Sequence, residues 1–150
     1  METFLVDSPP IKVDNMAWGE NDDKILADTH RYLALKGRQS ELLEQAEDRH
    51  ISGSPGTVYL KRLGHRALSS EDFESIVNAV GSPEDKQTLV DFRTAQQRLQ
   101  ERLNNTRSIG LVLEQADIQR NLFYKRVERY DLWKPEEVVR IMEVVKRIQL

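Results

Sequence analysis

A short wording recurs in this chain: Leu42-Leu43-Glu44-Gln45-Ala46 returns as Val112-Leu113-Glu114-Gln115-Ala116. After the first come Thr57-Val58-Tyr59-Leu60-Lys61-Arg62-Leu63, then Leu68, Glu71 and an apolar-periodic run from Phe73 to Val80. After the second come Leu122-Phe123-Tyr124-Lys125-Arg126-Val127, then Leu132, Glu136 and a run from Val138 to Val145. Repetition constrains a fold strongly, because matched segments must bury matched faces. The pattern therefore predicts a duplicated helical unit, although about six more residues separate Ala46 from Lys61-Arg62 than separate Ala116 from Lys125-Arg126.

Helix signals fill the chain from residue 23 onward, and no segment alternates with period two long enough to suggest a sheet. The fold class is all-α, a multi-helix bundle with helices at about 23–36, 39–49, 55–64, 70–80, 84–104, 108–116, 119–130 and 135–148. Ser70 with Glu71 and Asp72, Ser82-Pro83-Glu84 and Lys134-Pro135-Glu136 are start signals, and Gly37, Gly64 and Gly81 stand where helices stop. The connection Arg49 to Gly56 is long and glycine-rich. The segment after it reads either as a third helix begun by Ser54-Pro55 or as a surface loop between core helices. The long helix at 84–104 draws one apolar stripe through Leu89, Phe92, Leu99 and Leu103 and links the two halves. Domain organisation is then an extended arm over 1–22, an N-terminal half over 23–82 and a C-terminal half over 83–150. In the arm, Phe4, Leu5, Val13, Met16 and Trp18 make the sparse apolar series of a segment lying across its own domain or a protein partner. Trp133, ahead of Pro135, packs as a staple at the last helix.

The second stretch carries the functional suggestion. Ile109, Val112, Leu113 and Ala116 share one face of a short helix. Asp117 breaks it, because Asp tolerates a positive φ better than most residues. The next helix buries Leu122, Phe123 and Val127 and turns Gln119, Arg120, Asn121, Tyr124, Lys125 and Arg129 outward. The run VLEQADIQRNLFYKRV resembles the helix-turn-helix of phage-repressor-like and tetracycline-repressor-like regulators. Ala116 matches the small crossing residue, Ile118 the buried turn residue and Phe123-Tyr124 the aromatic step, whereas Asp117 stands where that pattern usually has Gly. The resemblance covers about 40 residues, from Thr106 to Ile148. It implies a DNA-binding protein, a transcriptional regulator with the 119–129 helix in the major groove of double-stranded DNA. Gln119, Arg120, Asn121 and Tyr124 would then face base edges, and Lys125, Arg129 and Lys134 would contact phosphates.

Charge is compatible with that reading locally. The whole chain carries a formal −3, which is unlike an indiscriminate nucleic-acid binder. Residues 119–134 nevertheless balance at +3, and residues 55–66, with Lys61, Arg62 and Arg66, also at +3. Lys61 and Arg62 join the candidate DNA contacts on this ground. Glu128 and Asp131 beside the recognition helix suit the alternative, a non-catalytic helical adaptor or assembly protein.

Enzymatic patterns are missing. With no cysteine there is no disulfide, thiolate nucleophile or cysteine-zinc site. His30, His50 and His65 form no H-E-x-x-H, and Glu47 with His50 is a single Glu-x-x-His pair where a di-iron bundle needs two. No phosphate-binding or nucleophile-elbow motif is present. The reading is of a protein that is not an enzyme, with no cofactor and no metal. No apolar run approaches the roughly 20 residues of a membrane span, and the start of the chain lacks the basic flank of a signal peptide, so the expected location is cytoplasmic.

Overall fold

The computed structural model describes residues 18–148. Most of the expected arm, including Phe4, Leu5, Val13 and Met16, lies outside the described residues. These contain no strand: eight α-helices and two 3-10 turns make an all-α protein, as the sequence predicts. The helices are α1 (Glu20–Gly37), α2 (Gln39–Gln45), α3 (Pro55–Leu63), α4 (Ser70–Val80), α5 (Pro83–Asn104), α6 (Ile109–Gln115), α7 (Arg120–Glu128) and α8 (Pro135–Ile148). Among the described residues no helix is long and apolar enough to cross a membrane.

Starts and stops follow local chemistry. Ser54 accepts a hydrogen bond from Thr57 N (3.3 Å) with Pro55 in the first turn of α3, and Gly64 closes that helix at φ +81. His65 N then reaches Leu60 O at 3.0 Å, the signature of a Schellman turn. Residues 55–63 are therefore helix, which resolves the choice between helix and loop. At α4 the capping residue is Ser69, in a reciprocal capping box with Asp72.

Three boundaries differ from the sequence reading by two residues or more. α1 begins at Glu20, inside the expected arm, because Asp22 accepts the Gly19 N–H at 2.9 Å and so caps a start before residue 23. α2 ends at Gln45 rather than 49: Ala46 turns extended (φ −85, ψ 146), and Arg62 takes up the Leu43 and Ala46 carbonyls at 3.0 and 2.6 Å. The 119–130 helix ends at Glu128, followed by a 3-10 turn over Tyr130–Leu132.

The chain forms two compact units, residues 31–91 and residues 18–30 with 92–148. The sequence draws its division between 82 and 83, and the 31–91 unit takes residues from both sides of that point. In that unit, α2 and the 3-10 turn at Asp48–His50 pack on α4. Phe73, Ile76 and Val77 are fully buried there, with Tyr32 edge-on to Phe73 at 5.8 Å. In the other unit α6 packs on α8, over Val112, Val138, Ile141 and Met142. Trp133 is buried as the staple reading anticipates; its Nε1 donates to Gln100 Oε1 at 2.9 Å, and Gln96 Nε2 donates to its carbonyl at 2.6 Å.

The α4–α5 connection is two residues long, and Gly81 is there for space. A Cβ on it would sit 2.6 Å from Val77 O and 3.0 Å from Asp85 Cβ. A backbone oxygen cannot swing aside as a side chain can. Gly81→Ala should therefore destabilise the protein by about 1–3 kcal/mol through overpacking. Gly56→Ala, inside α3 with only Ser54 Oγ at 4.0 Å from its Cβ position, should stabilise by about 0.5–1 kcal/mol. Urea denaturation of both variants checks the contrast.

Candidate interaction surface

Four helix starts carry a buried carboxylate at the third helical position, and each accepts a backbone N–H from the residue just before its helix. Asp22 of α1 takes Gly19 N (2.9 Å), Asp72 of α4 takes Ser69 N (3.2 Å), Asp85 of α5 takes Ser82 N (3.1 Å) and Glu137 of α8 takes Lys134 N (2.9 Å). Each also meets a cation from elsewhere: Arg102 at 3.1 Å, Lys61 at 2.6 Å, Arg38 at 2.9 Å and Arg126 at 3.3 Å, in the same order. A carboxylate there complements the helix dipole, and its buried charge is balanced by the cation.

These locks settle where the expected basic residues go. Lys61 is not outward-facing: its side chain is only 10% exposed, and Nζ donates to Asp72, to Ser52 O (3.0 Å) and to Ser52 Oγ (3.1 Å). Arg62 is likewise engaged, with Asp48 at 2.6 Å and the carbonyls that end α2. Lys61 is thus an internal cation rather than an outward-facing one, and Arg62 is half-buried and already engaged. Arg126, counted in the second basic stretch, is buried against Glu137 and over the Trp133 ring at 5.1 Å. Arg129 is exposed but forms a fork with Asp131 at 3.0 and 2.8 Å.

The remaining candidates are exposed. Asp117 takes φ 60, the one positive-φ non-glycine among the described residues, and Ile118 N bonds Leu113 O at 2.9 Å, so α6 ends on the left-handed turn that the sequence suggests. Gln119 then starts α7, and Arg120, Asn121, Tyr124 and Lys125 are exposed along it. The Arg120 guanidinium lies over Gly110, where a Cβ would be 2.6 Å from Nη2. Lys134 is exposed ahead of α8. Val127, expected in the core, is 40% exposed, because the inward place next to it is held by Arg126.

α3 and α7 correspond closely. Both have nine residues. Lys61 precedes Asp72 by the same eleven positions by which Arg126 precedes Glu137. That register sets Lys61 against Arg126, one residue away from the pairing suggested by the Lys-Arg dipeptides. It also sets Tyr59, 63% exposed, against Tyr124, 61% exposed. The rest of the outward faces differ: Leu60 and Leu63 of α3 stand where α7 has Lys125 and Glu128.

On α3 the usual polarity is inverted. Lys61 points into the protein and Arg62, half-buried, reaches back to the end of α2, while Tyr59, Leu60 and Leu63 point out, Leu63 being 51% exposed. Sequence reasoning missed these three as surface residues; the eleven-residue spacing from a cation to an acid at a helix start is the signal that could have found them. Among the described residues no group of three acids or histidines is placed to hold a metal. A cavity of about 150 Å³ around the Asp22–Arg102 lock is lined by Asn21, Ile25 and Asn105 as well as by the charged Asp22, Arg98, Glu101 and Arg102. Comparison with protein-family models, curated proteins and solved structures finds no match for the chain.

Burial by itself would raise the Asp72 carboxyl. Hydrogen bonds from Lys61, Ser52 and Ser69 outweigh it and hold the group well below the usual carboxylate range. Its folded value lies under the unfolded one of about 3.9. The stabilisation is therefore complete above that pH and is lost as pH falls towards the folded value. Asp72→Ala, which strands Lys61, should cost about 3–5 kcal/mol at neutral pH. The difference from the parent should shrink below about pH 4. Denaturation across a pH series measures both.

Proposed function

We propose that this chain is a non-catalytic helical adaptor working by protein contact through the outward faces of α3 and α7. The observation that carries this reading is the inversion of α3. Exposed large apolar side chains clustered on a helix whose cations turn inward are features of a contact surface. The engagement of Lys61, Arg62 and Arg126 in internal locks removes much of the positive field that phosphate binding needs. The matched lengths and locks of α3–α4 and α7–α8 also favour descent of the two stretches from one unit. An experimental structure in which overlaying them failed to bring Lys61 onto Arg126 would remove that support.

A second reading keeps the DNA-binding regulator. It is favoured by the left-handed Asp117 and by the exposed Gln119, Arg120, Asn121, Tyr124 and Lys125 that come after it. Fluorescence polarisation with duplex DNA across a salt series separates the two. The adaptor reading expects no salt-sensitive binding. The regulator reading expects binding that weakens with salt, with Arg120→Ala/Lys125→Ala lowering the salt slope by about one for every phosphate that is no longer neutralised. Binding by the parent and its disappearance in this double variant would replace the adaptor with the regulator.

A further inference from the structure

We draw no further inference here: the strongest candidate, the exposed apolar patch of Tyr59, Leu60 and Leu63 on the outward face of α3, belongs to the surface already described, and nothing in the structure shows what covers it.

Discussion

A carboxylate buried at the start of a helix is the interaction on which this fold turns. It closes the capping hydrogen bond, sits at the positive end of the helix dipole and must find a cation, because an unpaired buried charge is far more costly than a paired one. Asp22, Asp72, Asp85 and Glu137 all meet these conditions. Each then fixes the orientation of another segment. Lys61 must face inward to reach Asp72, so α3 can hold only one rotational setting about its axis. Arg126 does the same for α7 through Glu137. Arg38, just after α1, reaches the start of α5, and Arg102, near the end of α5, reaches the start of α1. The locks therefore act between helices as well as within them.

The surface is a product of this orientation. Once Lys61 is held inside and Arg62 is drawn against the end of α2, Val58 is the one apolar member of the Thr57 to Leu63 run that is buried, and Tyr59, Leu60 and Leu63 face solvent. On α7 the same rotation is imposed on a different sequence, and the outward places receive Asn121, Tyr124, Lys125 and Glu128. One geometric rule thus yields two unlike faces. Only the tyrosine is common to both.

Much of the helical order was legible in the residues, because caps and stops act within four or five positions. Ser54-Pro55, Gly64, Asp117 and Pro135 all stand where the chain starts or ends a helix. The end of α2 was not legible. Nothing near Gln45 signals a stop, and the carbonyls released there are taken by Arg62, sixteen positions after Ala46. The direction of the basic residues was hidden for the same reason. A count over 55–66 or 119–134 treats Lys61 and Arg126 as surface charge, whereas their partners lie in the next helix. The same distance effect misaligned the two stretches by one residue, since the Lys-Arg dipeptides match as letters while Lys61 and Arg126 match in what they bind.

The turn at Gly81 has a mechanical meaning. It lies inside the 31–91 unit, where the Gly81-Ser82 step is pressed against the Val77 carbonyl and followed at once by the Asp85 lock. A residue inserted at that step would lengthen the turn and also rotate the start of α5, carrying Asp85 away from Arg38. Length variation should therefore be borne elsewhere, and the stretch between Ala46 and Pro55, which is longer than its counterpart between Ala116 and Arg120, is where the chain already carries it.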